Sequence, residues 1–287
     1  MSTGLPSLHP VLYDDLLRRA LKEDLGRAGD LTTDAVVPAG ARATAELRAR
    51  GGGRVAGLEP ALHAFRLLDP EVHLHRRVTD GADVEPGGVV ARIEGNARAL
   101  LSAERTALNL LGRLCGIATV TRDLVRAVDG TGAGVVCTRK TTPLLRALEK
   151  YAVRAGGGAN HRFGLDDAIL IKDNHRAIAG SAAEAVRRAR AGAGHLVKIE
   201  IEVDDAEELE ALMELGVDAV LLDNMTPEEL RRAVEIVGHR AVTEASGGIT
   251  PETAPEIAAT GVDLLSVGWL THSAPALDLG LDFQVVP

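Results

Sequence analysis

Aromatic side chains are nearly absent from this 287-residue chain, which has one Trp, two Tyr and three Phe, together 2%. With 46% hydrophobic residues, the core must be built from Ala, Val, Leu and Ile, a composition suited to helices packed on parallel strands. Cysteine is as scarce. Cys115 and Cys137 show no metal-ligand spacing and sit in apolar context, which predicts buried, reduced thiols and a cytoplasmic protein. No apolar run approaches the length of a membrane span. The stretch MSTGLPSLHP has no basic segment followed by an apolar core, so no signal peptide is expected. A formal net charge of −9 argues against nucleic acid as a partner. Lysine is rare in a chain that uses arginine heavily: there are five, Lys22, Lys140, Lys150, Lys172 and Lys198.

Two of those lysines organise the chain. Val135-Val136 runs into Thr138-Arg139-Lys140, and Ala168-Ile169-Leu170-Ile171 runs into Lys172. Between them Pro143 to Arg154 has helical spacing, with Leu144, Leu148, Tyr151 and Ala152 on one face. Gly156-Gly157-Gly158 and the polar turn Asn160-His161-Arg162 follow. The pattern is strand, helix, strand, with cations at both strand ends. In parallel α/β folds ligands sit at the carboxyl ends of strands. A cation at one strand end is ordinarily a solvated loop residue; a cluster here points to a ligand with several negative charges. Ammonium groups suit phosphates and guanidinium forks suit carboxylates, so the mixture implies a ligand carrying both.

The first part of the chain has a different rhythm. A helix is predicted over Leu12–Leu25, with Leu16, Leu17, Ala20 and Leu21 as its buried stripe, and Asp30 to Asp34 reads as a polar turn. Alternation at Ala43, Ala45, Leu47, then Val72, Leu74, Arg76, then Val89 to Ile93 predicts three strands, with a helix over Pro60–Leu68 between the first two. Gly51-Gly52-Gly53 could be a phosphate loop, but no helix opens with Lys-Ser/Thr after it, so it reads as a tight strand connection. His63, His73 and His75 read as surface residues. A long helix over Arg98–Leu114 closes an α+β sandwich domain, residues 1–114, joined by the carboxyl-terminal segment 275–287, with a scaffold or dimerisation role.

Residues 115–274 repeat strand then helix, with strands expected near Val135, Ala168, Leu196, Ala219, Ala241 and Val262. Such repetition predicts a parallel β/α barrel, incomplete at six strands or extended by a short strand near Ile117–Val120. Fold class is therefore α/β, an α+β sandwich followed by an incomplete barrel. Period two places Lys198, Glu200 and Glu202 on the inward face of the third strand. Lys198 is expected to neutralise Glu200. Glu202, at the open end, and Asp223, on the next strand, form a carboxylate pair suited to Mg²⁺. Ser246-Gly247-Gly248, before a helix, and Ser266-Val267-Gly268 match the phosphate cup of such barrels.

TRKTTP, LEKYAV, GGGANHR, GLDD and IKDNH lie in that order between Thr138 and His175, with ERTALN from Glu104, EASGGIT from Glu244 and WLTHSAPALD from Trp269. These motifs resemble quinolinate phosphoribosyltransferase (nicotinate-nucleotide pyrophosphorylase, carboxylating) over most of the chain. The resemblance implies transfer from 5-phosphoribosyl 1-pyrophosphate to quinolinate with loss of CO₂, Mg²⁺ as cofactor, and a homodimer in which Arg105 reaches the neighbouring subunit's site. On sequence alone Arg105 is an ordinary helix-surface charge. The expected substrate-binding set is Arg105, Thr138, Arg139, Lys140, His161, Arg162, Lys172, Glu202, Asp223, Ser246, Gly247, Gly248, Ser266 and Gly268. Lys140, Lys172, Glu202 and Asp223 carry the catalysis, and Glu202 and Asp223 the metal. No residue is assigned as general acid or base. The rival readings are a Schiff-base aldolase, a phosphoribosyltransferase for another acidic heterocycle, and a non-catalytic phosphate-binding protein, which the inward acids disfavour.

Overall fold

The computed structural model describes residues 5–285; the first four residues of the amino-terminal stretch and the last two of the chain lie outside the described residues. The chain folds as two compact units. The first comprises residues up to Arg122, Thr142–Gly157 and the stretch from Ser273; the second comprises Asp123–Thr141 and Gly158–His272.

In the first unit α1 (Asp14–Leu25) buries Leu17 and Leu21 and leaves Leu16 and Ala20 half-buried. It starts later than its periodicity predicts because Pro10–Leu12 forms a separate 3-10 turn. The expected polar turn is helical instead: Asp30 caps α2 (Leu31–Val36), accepting from the Thr33 N–H at 3.0 Å. An aspartate there satisfies an orphan helix donor as readily as a turn. Strands β1 (Arg42–Ala49), β2 (Gly53–Arg54), β3 (His73–Arg76), β4 (Asp83–Val84) and β5 (Val89–Asn96) follow, with α3 (Leu58–Leu68) between β2 and β3. The alternating runs form an antiparallel sheet, completed by the carboxyl-terminal strand β12 (Leu279–Val285) in the order β12-β1-β5-β3. Gly53 pairs with Val84 across β2 and β4, so the triple glycine is a strand connection. His73 and His75 are exposed. His63 is not a surface residue: its Nε2 lies 2.8 Å from Asp14 Oδ1 and its ring meets Tyr13 edge-on.

Two expectations about the barrel boundary are corrected. Helix α4 spans Ala97–Ala127 and contains Ile117–Val120, which therefore adds no strand. The helix after the first barrel strand, α5 (Arg146–Ala155), starts after Leu144-Leu145 and belongs to the first unit. Buried ties hold it there. Glu149 accepts from Arg113, and the Tyr151 hydroxyl donates to Asp80 at 2.6 Å. At Gly156 a Cβ would lie 2.5 Å from the Ala118 carbonyl oxygen, so only glycine allows that approach.

In the second unit β6 (Gly134–Val136), β7 (Ile169–Ile171), β8 (Ile199–Val203), β9 (Ala219–Asp223), β10 (Val242–Ser246) and β11 (Leu264–Ser266) form one parallel sheet in the order β6-β11-β10-β9-β8-β7. That is the circular order of a β/α barrel opened between its first two strands. On its other side β6 has an isolated bridge, Val136 to Ala159. The helices of this unit are α6 (Asp173–Ala179), α7 (Ala182–Gly192), α8 (Leu209–Glu214), α9 (Pro227–Val237), α10 (Ala254–Ala258) and α11 (Trp269–His272). Ile199, Ile201, Val203, Val220 and Leu222 are buried on the outward face of the sheet, where α7 lies against β7 and β8, α9 against β10 and α10 against β11. Pairing sets the inner face: Asp223, Ser246 and Ser266 are in register, as are Glu202, Leu221 and Glu244.

Lys198 is not part of that interior. It precedes β8, its side chain is 76% exposed, and it pairs with Asp218 Oδ1 at 2.6 Å. The strand, expected to begin near Leu196, begins at Ile199, which leaves Lys198 in solvent at the amino end of the sheet. Cys115 and Cys137 are buried thiols, the latter donating to Asn160 Oδ1 at 3.3 Å; burial pushes the Cys115 thiol up to about 12, which makes it unreactive. Among the described residues no helix is long and apolar enough to cross a membrane.

Candidate active site

The carboxyl ends of the barrel strands surround a cavity of about 420 Å³. Thr138, Arg139, Lys140, His161, Arg162, Lys172, Glu202, Asp223 and Ser246 line it, together with the apolar Leu170 and Leu221, which reasoning from charge had no means to select. The loop after β6 is pinned from within. The Lys140 N–H donates to Thr138 Oγ1 at 3.0 Å, and the Lys140 carbonyl accepts from the buried Thr271 hydroxyl at 2.9 Å. Gly268 leaves room for this loop, since a Cβ there would lie 2.9 Å from Lys140 Cδ.

Arg139 and Arg162 face one cavity. Arg162 Nη1 donates to the Ala168 carbonyl at 3.1 Å, and burial followed by the Arg139 charge push its guanidinium below the ordinary arginine range. Arginine still keeps its proton, so the half-buried Arg162 guanidinium beside the exposed Arg139 charge creates a demand for an anion. Lys172 Nζ pairs with Glu202 Oε2. Asp223 Oδ2 accepts from Asn224 Nδ2 at 2.6 Å. Glu202 and Asp223 are hard oxygen donors on adjacent strands of the same cavity, a set that fits Mg²⁺ retaining waters and phosphate oxygens.

Gly247 and Gly248 have φ of 92° and 60°, and a Cβ on Gly247 would lie 2.1 Å from Asn224 Oδ1. Any other residue at Gly247 would be strained and would collide. The turn precedes a helix, α10, which begins at Ala254. Gly247, Gly248, Ser266 and Gly268 are not among the residues lining the cavity. Arg105 is exposed on α4 in the first unit, and lines a separate cavity of about 510 Å³ with Leu16, Leu17, Ala20, Asn109 and Arg113.

Under the cation cluster lies a group that sequence reasoning missed. His161 Nε2 is 2.9 Å from Glu200 Oε2 and 3.5 Å from Glu244 Oε1. Burial, then the charge of Glu200, push the Glu244 carboxyl up to about 7. The alternation Glu244, Ala245, Ser246 was the available signal: if Ser246 faces inward, so does Glu244.

Comparison with known proteins shows the family. The quinolinate phosphoribosyl transferase carboxyl-terminal domain matches residues 117–282, and the amino-terminal domain of the same family matches residues 30–115. The chain belongs to the quinolinate phosphoribosyltransferase family. It is 48% identical over 280 residues to the nicotinate-nucleotide pyrophosphorylase [carboxylating] of Mycobacterium leprae, covering 93% of this chain and 96% of that one. It is 46% identical over 269 residues to the probable enzyme of the same name from Bacillus subtilis, covering 93% and 92%. Among solved structures of quinolinate phosphoribosyltransferase relatives, NadC from Streptococcus pyogenes superposes with a TM-score of 0.95 at 40% identity, covering 98% of this chain and all of that one.

Proposed function

We propose that the chain transfers the phosphoribosyl group of 5-phosphoribosyl 1-pyrophosphate to quinolinate and releases CO₂, giving nicotinate mononucleotide and pyrophosphate for NAD synthesis. The observation that carries the reading is the convergence of Arg139, Lys140, Arg162 and Lys172 with Glu202 and Asp223 in one cavity. Arg139, Arg162 and Lys172 cradle the two carboxylates, with the His161 ring lining the cavity beside them, and Lys140 meets phosphate oxygens. Glu202 and Asp223 hold the ribose hydroxyls and Mg²⁺, which when bound neutralises charge on the leaving pyrophosphate. Ser246, Gly247, Gly248, Ser266 and Gly268 receive the 5-phosphate.

The pyridine nitrogen attacks the anomeric carbon as pyrophosphate departs, through an oxocarbenium-like state. Placement and fixed charge supply most of the acceleration. The ring, once quaternised, holds the electron pair left by CO₂ until a proton replaces it. Arg105 completes the site of a partner subunit in a symmetric homodimer, and the enzyme works in the cytoplasm. An aldolase reading has less support, because Lys172 is held against Glu202 and not in the apolar pocket a Schiff-base lysine requires. The test is release of labelled CO₂ from quinolinate and of pyrophosphate from phosphoribosyl pyrophosphate in equal amounts. Consumption of phosphoribosyl pyrophosphate without CO₂, or nicotinate turned over as readily as quinolinate, overturns the reading.

A further inference from the structure

Glu200 and Glu244 are buried acids for which the reaction has no assigned use. Their side chains are 10% and 5% exposed, and Oε1 of each has no hydrogen-bond partner. The groups facing Glu244 are Glu200 from β8, His161 from the loop beyond Ala159, and the hydroxyl of Ser266 from β11; its neighbour on β9 is the apolar Leu221. A buried acid pair sharing one histidine is costly to fold. Such a cost at the base of a substrate cavity calls for a functional return.

The return is visible in His161. Its Nε2 meets Glu200 Oε2 at 2.9 Å, and Glu244 Oε1 stands 3.5 Å from the same nitrogen without a hydrogen bond, while its Nδ1 accepts from the Arg162 backbone N–H at 2.6 Å. With both nitrogens engaged, the ring plane sets the path of the chain through Arg162. Arg162 in turn lines the cavity. We propose that Glu244 is a positioning residue that, with Glu200, clamps the His161 ring and thereby aims Arg162 at a substrate carboxylate. Glu244 acts here in its proton-bearing form, which lets two acids approach one ring without full repulsion; its carboxyl, pushed up to about 7, makes that form available near neutrality. The proposal rests on the cavity being the quinolinate site.

The experiment compares Glu244→Met and Glu244→Gln with wild type, reading melting temperature, KM for each substrate and kcat. Wild type is assayed first, and its failure to turn over quinolinate would refute the reaction itself and not the clamp. Glu244→Met should melt no lower than wild type, because it removes a buried acid while leaving Glu200 on His161. Its KM for quinolinate should rise at least tenfold, with KM for phosphoribosyl pyrophosphate within threefold. Glu244→Gln, a neutral amide of the same shape as the protonated acid, should stay within threefold of wild type in both. Equal losses for both substrates, an unchanged quinolinate KM, or a Met variant that fails to fold would each overturn the clamp. So would a stoichiometric divalent cation, bound by wild type and absent from Glu244→Met, since the three groups would then be metal ligands.

Discussion

Replacing Arg113 with alanine removes the guanidinium that neutralises a fully buried carboxylate. The Glu149 side chain is 0% exposed, accepts from Arg113 Nε at 2.8 Å and from the Thr142 N–H at 3.0 Å, and lies 2.7 Å from Arg113 Nη2 as an ion pair. Without Arg113 the acid either stays charged in a dry site or takes up a proton, and protonation sets the ceiling on the penalty. Lifting a carboxyl from about 4.3 past pH 7 costs about 3.7 kcal/mol at about 1.36 kcal/mol per pH unit. That lies within the roughly 3–5 kcal/mol lost when a buried pair loses one partner. At roughly 2–4 °C per kcal/mol, the melting temperature should fall by about 7–15 °C at pH 7. At pH 4.5 the proton costs almost nothing, so the difference from wild type should shrink to below about 1 kcal/mol. Arg113→Met combined with Glu149→Gln keeps an acceptor for Thr142 and buries no charge, and should recover more than half of the loss. Circular-dichroism melts of the three proteins at both pH values check this. A loss below about 1 kcal/mol at neutral pH, or an equal loss at both pH values, would mean that water reaches Glu149 and that burial has been overstated.

Four other outcomes follow from the site. Arg162→Ala should raise KM for quinolinate about ten- to a hundredfold, the worth of a charge-assisted bond, and barely change that for phosphoribosyl pyrophosphate; equal loss in steady-state kinetics would remove Arg162 from the carboxylate cradle. EDTA should abolish turnover and Mg²⁺ restore it, with Glu202→Gln and Asp223→Asn shifting the Mg²⁺ dependence; metal-independent turnover would count against the pair as ligands. Arg105→Ala and Lys172→Ala, each nearly inactive, should regain on the order of a quarter of wild-type activity when refolded together, because half the dimers are hybrids with one intact site of two; no recovery, with hybrids confirmed by mass, would place Arg105 outside a shared site. For pH, the Glu244 carboxyl is raised from 4.5 to about 7, so the native state holds a proton that the unfolded state releases. Its stabilising contribution is present in full below about pH 4.5 and is lost as pH rises through about 7. The loss is about 3 kcal/mol, visible in denaturant titrations of wild type and absent from Glu244→Gln.

Local signals determined much of this protein. Aliphatic runs ending in cations, at Val136 and Ile171, located β6 and β7 and the site above them, because strand polarity and period two are properties of the chain itself. The same rule placed Glu202 and Asp223 in one cavity, and the amino end of α9 at Pro227 is written in four residues, because Thr226 and Glu229 cap each other. What local signals could not supply was pairing across distance. Lys198 and Glu200 alternate correctly on paper, yet Asp218 takes the lysine, because strand start and sheet end are decided by neighbours twenty residues away. Helix α5 looks like any barrel helix until Arg113, Asp80 and Ala118 bind it to the other unit. The clamp on His161 joins residues from a loop, from β8 and from β10, and its acids became visible only when the sheet order and register brought them to one ring. Burial is the physical reason: whether a charge meets water or another charge is a property of the assembled barrel, and no window of sequence contains it.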